Sequence, residues 1–129
     1  RESRGLGDVY KRQDVEYGKL RISKMLPGFQ DKKIFDFLCL ISRETSSEAI
    51  VCGGSSMQIL DTTDILSKIK VPCLILTGSE DIVVSKEKSL FLYDTIKNAL
   101  HIEIKGVGHA PYCENALEFN EKISSFLST

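Results

Sequence analysis

The chain has 129 residues, 42% hydrophobic and 27% charged, with a formal net charge of −1. A balance that close to neutral, slightly acidic once residues 1–13 are set aside, offers nothing to nucleic acid or to an anionic membrane surface. No apolar stretch approaches the ~20 residues of a membrane helix, so the expected location is the cytoplasm. Cys39, Cys52, Cys73 and Cys113 have neither Cys-x-x-Cys spacing nor neighbouring histidines, which argues against zinc or a redox pair and for small buried or half-buried thiols.

The N-terminal segment stands apart. Asp8-Val9-Tyr10-Lys11-Arg12-Gln13 is the in-frame reading of GAT GTG TAT AAG AGA CAG, the mosaic end of a transposase adapter used to prepare sequencing libraries. Residues 1–13 are therefore read as non-native and left out of the fold, the alternative being a basic N-terminal arm. The native protein is expected to continue upstream of Asp14. Residues 33–41 follow as a predicted helix, with Ile34, Phe37, Leu38 and Ile41 at i, i+3, i+4 and i+7. Thr45-Ser46-Ser47-Glu48 reads as a capping box that opens a second helix toward Leu60. Gly53-Gly54 lies inside that helix, where each glycine costs about 1 kcal/mol relative to alanine, so a close helix contact or a break is expected there.

From Leu66 the pattern changes. Val71-Pro72-Cys73-Leu74-Ile75-Leu76 is apolar at nearly every position, as in a strand covered on both faces within a parallel sheet. Residues 85–99 place Ser89, Leu92, Ile96 and Ala99 on one helical face, and His101-Ile102-Glu103-Ile104-Lys105 reads as a second strand. Asn115 with Glu118 caps a last helix whose Phe119, Ile123, Phe126 and Leu127 form a stripe suited to a sheet face.

A loop follows each strand: Thr77-Gly78-Ser79-Glu80-Asp81 and Gly106-Val107-Gly108-His109-Ala110. In a strand–helix–strand unit with a right-handed crossover the strands run parallel, so both loops emerge at the same carboxyl edge. With paired strands about 4.8 Å apart, a carboxylate at Asp81 can reach an imidazole nitrogen of His109. Histidine is the side chain best suited to general-base work near neutrality, and a carboxylate behind it fixes its tautomer and stabilises the imidazolium. The pair amounts to two thirds of a catalytic triad. Separately, each residue also reads as an ordinary turn aspartate or a surface histidine.

Ile69-Lys70-Val71-Pro72, Gly78-Ser79-Glu80-Asp81, Gly108-His109-Ala110-Pro111, Glu114 and the run from Phe119 to Phe126-Leu127 stand in the order found at the C-terminal end of alpha/beta hydrolases, which residues 66–127 closely resemble. The resemblance implies an α/β fold of which this chain is the C-terminal part: the last two parallel strands and their helices, residues 61–129. It implies a helical cap over the site for residues 14–60, with Met25, Phe29, Phe35 and Phe37 as candidate pocket-lining positions or simple core aromatics. By the same resemblance Asp81 is the triad acid and His109 the base. Glu114 is left either bonding near the histidine loop or solvated.

The family's nucleophile sits in Gly-x-Ser-x-Gly upstream of the acid, and no such pentapeptide occurs here. Gly53-Gly54-Ser55-Ser56-Met57 is a poor substitute, because the 26 residues from Ser55 to Asp81 cannot hold an elbow helix, a further strand and a crossover. Cys113 lies on the wrong side of the base for the family's order. The resemblance therefore implies a hydrolase of an ester, lactone or related carbonyl substrate, working by a Ser-His-Asp triad without metal or other cofactor on a small-molecule substrate. This chain, lacking the nucleophile, is expected to be inactive alone. Dehalogenase or acyltransferase chemistry and a non-catalytic ligand-binding role on the same fold remain alternatives.

Overall fold

The computed structural model describes residue 16, residues 18–42 and residues 44–128; the adapter-like residues 1–13 lie outside them. The described residues form two compact units. One comprises those up to Ser23 and Gly28–Leu60, and the other comprises Lys24–Pro27 and those from Asp61 onward.

The first unit is helical. Helix α1 covers residues 18–25, its last two residues counting with the second unit. Helix α2, Lys32–Ser42, begins where an Asp31 carboxylate oxygen accepts from the amides of Lys33 and Ile34. Its buried residue is Cys39, whereas Ile34, Phe37 and Ile41 of the expected stripe are exposed. Helix α3, Ser47–Ile59, is capped by Ser46, whose hydroxyl accepts from the Ala49 amide at 3.1 Å. Gly53 and Gly54 neither break this helix nor admit a close neighbour: a Cβ on either would meet nothing within 4 Å. Their helical cost is uncompensated by packing. Cys52 on the same helix is exposed, unlike the buried or half-buried thiol expected.

The second unit holds the sheet. After a short helix α4, Thr63–Leu66, strand β1 spans Cys73–Gly78, helix α5 spans Lys86–Thr95 and strand β2 spans Ala99–Ile104. The strands pair in parallel, Cys73 against Ala99 through Gly78 against Ile104, as the strand–helix–strand reading requires. Every residue of β1 is half-buried, so the expected cover on both faces is incomplete here. Helix α5 packs on one face, where Tyr93 lies against His101 and Lys86 pairs with Glu103. Ile104, at 0% exposure, anchors the core with Ile96, Val107 and Ala110.

Helix α5 ends four residues before Ala99, which belongs to β2 rather than to the helix. Asn98 explains the early exit: its side-chain amide donates to the Lys70 carbonyl at 2.7 Å, and its own carbonyl accepts from Cys73 at 3.0 Å. The chain is thus drawn into the ladder beside the start of β1. Helices α6, Pro111–Glu114, and α7, Ala116–Leu127, close the unit. Asn115 caps α7, accepting from Glu118 N and donating its side-chain amide to the Glu118 carboxylate. Of the α7 stripe, Phe119, Ile123 and Phe126 are half-buried. Phe119 packs edge-on against Tyr112 of α6, Leu127 is exposed and no α7 residue is fully buried.

Among the described residues no helix is long and apolar enough to cross a membrane. Because α3 carries two glycines in open space, Gly53→Ala and Gly54→Ala should each stabilise that helix by up to about 1 kcal/mol. The expected result is a higher urea midpoint for each variant, with the shifts adding in the double substitution.

Candidate active site

The two loops leaving β1 and β2 are tied together by their backbones. Ser79 N donates to Ile104 O at 3.0 Å and Glu80 N to Val107 O at 2.9 Å, while the Ser79 hydroxyl accepts from Gly106 N at 2.9 Å. Gly106 has φ +73°, the left-handed conformation that glycine adopts without strain. At Gly78 the reason for glycine is contact, since a Cβ there would overlap the carbonyl oxygens of Val107 and Gly108. Gly108 is crowded in turn by Pro27 and the Met25 carbonyl.

Within this frame the structure brings Asp81 and His109 together. Asp81 Oδ2 lies 2.9 Å from His109 Nδ1. Asp81 Oδ1 accepts from the amides of Val83 at 2.8 Å and Val84 at 3.0 Å, so the turn after the acid fixes the carboxylate's orientation. An ionised carboxylate only accepts, so His109 Nδ1 carries the proton and Nε2 holds the lone pair in the neutral ring. The acid side chain is 11% exposed and the histidine 31%, which leaves the ring the more accessible partner. Burial pushes the Asp81 carboxyl up, but the hydrogen bonds from His109, Val84 and Val83, with the histidine's charge, outweigh it and hold its pKa below the ordinary value.

The histidine loop has two further anchors. His109 N donates to Met25 O at 2.8 Å. The Glu114 carboxylate accepts from Gly108 N at 2.9 Å to each oxygen and from Ala110 N at 3.2 Å to Oε1. Glu114 is therefore bound to the loop rather than solvated. Met25, a candidate pocket-lining residue in the sequence, meets the site through its backbone carbonyl. Nothing in the sequence pattern marked that contact, or the Ser79 latch.

The remaining candidates stand elsewhere. Phe29 and Phe35 are half-buried and Phe37 is exposed, all within the helical unit. Ser55 and Ser56 lie exposed on α3, and the Ser56 hydroxyl donates to the Cys52 carbonyl of its own helix. Burial, then the charge of Glu114, pushes the Cys113 thiol up, the opposite of what activates a nucleophile. Among the described residues no three His, Cys, Asp or Glu side chains gather as a metal site. The second histidine, His101, lies 2.9 Å by Nε2 from the Thr77 hydroxyl, on the sheet face that α5 covers.

No protein-family model and no curated protein sequence matches the chain. Solved structures do. An esterase from Exiguobacterium antarcticum superposes with a TM-score of 0.84 at 20% identity, over 92% of this chain and 45% of that one. The enol-lactonase from Burkholderia xenovorans gives 0.83 at 17%, over 94% and 48%. An alpha/beta hydrolase from a Medee basin deep-sea metagenome library gives 0.72 at 21%, over 97% and 50%. The chain thus spans about half the length of the structures it matches, and over that half it shares their fold.

The depressed Asp81 pKa has a consequence for stability. A carboxyl whose folded pKa lies below its unfolded value of about 3.9 stabilises the fold above that value and loses the contribution as pH falls through the folded pKa. Asp81→Asn should therefore lower the urea midpoint at pH 7, and the gap from the unsubstituted chain should narrow below about pH 4. Urea unfolding followed at pH 7 and in steps below pH 4 measures this directly.

Proposed function

We propose that this chain, which carries the C-terminal part of the α/β-hydrolase fold, supplies the acid and base of an enzyme that hydrolyses an ester, lactone or related carbonyl substrate. The observation that carries the reading is the 2.9 Å contact between Asp81 Oδ2 and His109 Nδ1, made at the shared carboxyl edge with the other Asp81 oxygen already committed to two amides. A merely solvated histidine needs no such oriented carboxylate behind it.

In this reading the nucleophilic serine and the oxyanion-hole amides come from the half of the fold that this chain does not span, and the chain by itself is inactive. His109 Nε2 takes the serine proton as the hydroxyl oxygen bonds to the substrate carbonyl carbon. Asp81 stabilises the imidazolium so formed and keeps its Nδ1 proton in place. The imidazolium then returns a proton to the leaving oxygen as the carbonyl–oxygen bond breaks, giving an acyl-enzyme. Water then bonds to the acyl carbon as the same nitrogen takes its proton, and the imidazolium returns that proton to the serine oxygen as the acyl–serine bond breaks, releasing the acid. No metal or organic cofactor enters any step. The structural neighbours, an esterase and an enol-lactonase among them, support this substrate class. The helical region, residues 14–60, acts as the substrate-selecting cap, and the substrate is a small molecule met in the cytoplasm.

The test is the full-length protein with its upstream elbow, assayed on p-nitrophenyl esters and on lactones. His109→Ala and Asp81→Asn should each lower kcat by about 10³–10⁴-fold in protein that still unfolds cooperatively. Unchanged turnover in either variant removes that residue from the mechanism.

A further inference from the structure

The Glu114 carboxylate is half-buried, and its contacts are selective. It accepts from Gly108 N with both oxygens at 2.9 Å and from Ala110 N at 3.2 Å, the residues immediately before and after His109. The amide between them, that of His109, goes to Met25 O at 2.8 Å. Three successive N–H groups are thereby committed, two of them to one side chain.

Local structure delivers Glu114 to this position. Pro111 opens a single helical turn, and the amides of Cys113 and Glu114 both donate to Ala110 O, at 2.8 and 3.1 Å. That turn folds the carboxylate back beneath the loop it follows. The loop needs such a clamp because it runs through Gly106 and Gly108, residues that restrict the backbone least. A contact to Asp81 at one ring nitrogen cannot by itself fix the Cα from which the ring hangs. Catalytic groups work only when held within about 0.5 Å and 10–20° of the productive geometry.

We propose that Glu114 is the positioning residue of the histidine loop: by clamping the amides on either side of His109 it keeps Nδ1 on Asp81 and leaves Nε2 directed at the reacting oxygen. The proposal rests on the triad reading above and deepens it. Glu114 acts through geometry, not through charge transmitted to the ring. One oxygen, Oε1, already serves both amides, so a glutamine carbonyl can replace it, whereas the shorter aspartate keeps the charge but withdraws the acceptor.

The chain contains two histidines, which makes the test direct. With 15N-labelled histidine at pH 8, long-range proton–nitrogen spectra report the tautomer of each ring, and His101, hydrogen-bonded to Thr77, is the internal reference. The unsubstituted chain should give His109 as the Nδ1–H form with a slowly exchanging ring proton. In Glu114→Ala and Glu114→Asp that proton signal should vanish and the tautomers should mix, with His101 unchanged; Glu114→Gln should restore the original pattern. A His109 pattern that survives Glu114→Ala overturns the proposal. So does equal loss at His101 and His109 in both the Ala and Asp variants, which would make Glu114 a residue of general stability, and so does a Gln variant that behaves like Ala. Mixed tautomers at His109 in the unsubstituted chain would instead refute the Asp81–His109 pair, and the clamp with it.

Discussion

Two backbones meet at the carboxyl edge of the sheet more closely than side chains permit, and the geometry of the site follows from that approach. Gly78 ends β1 against the carbonyls of Val107 and Gly108, where a methyl group would overlap both. With the chains that near, Ser79 and Glu80 donate across to Ile104 and Val107, and the Ser79 hydroxyl receives the Gly106 amide. Asp81 and His109 are then brought within hydrogen-bond distance by the main chain, without either side chain having to hold the loops together.

That division of labour matters for the chemistry. A base that also serves as a structural strut loses freedom to change protonation, because each proton it takes or gives would be coupled to the stability of the loops. Here the amides of Val83 and Val84 orient Asp81, and Glu114 and Met25 hold the loop that carries His109. Only one hydrogen bond, Nδ1 to Oδ2, joins the two catalytic candidates, and it is the bond that strengthens when the ring becomes charged. Preorganisation of this kind moves the entropic cost of orientation from the reaction to folding.

Much of this was readable from the residues, and what was not has identifiable causes. Parallel strands joined by a helix place their outgoing loops on one edge whatever the side chains, so Asp81 and His109 were found from topology and spacing. Helix ends were harder: periodicity carried α5 on through Ala99, because it registers an apolar position without registering that Asn98 bonds to Lys70 and the ladder has begun. The stripe of α2 had the right period but is exposed at three of its positions, since period identifies an apolar face and not what covers it. Gly53-Gly54 suggests a close contact or a break, but both residues have open space around them inside an unbroken helix. The Glu114 clamp was partly visible, because a carboxylate one short turn after His109 has few places to go. The Met25 carbonyl was invisible, since a backbone acceptor has the same chemistry at every residue.

The Met25 contact bears on how such chains recombine. Lys24–Pro27 is flanked on both sides by residues of the helical unit, yet it counts with the sheet unit, supplying the acceptor for His109 N and the proline ring against Gly108. A chimera that exchanges residues 18–60 would keep both strands of the described residues and both catalytic candidates, but would replace four residues of the histidine's own support. Crossover points that respect the site fall after Pro27 and before Asp61, so the portable module is the stretch between them, shorter than the whole helical region.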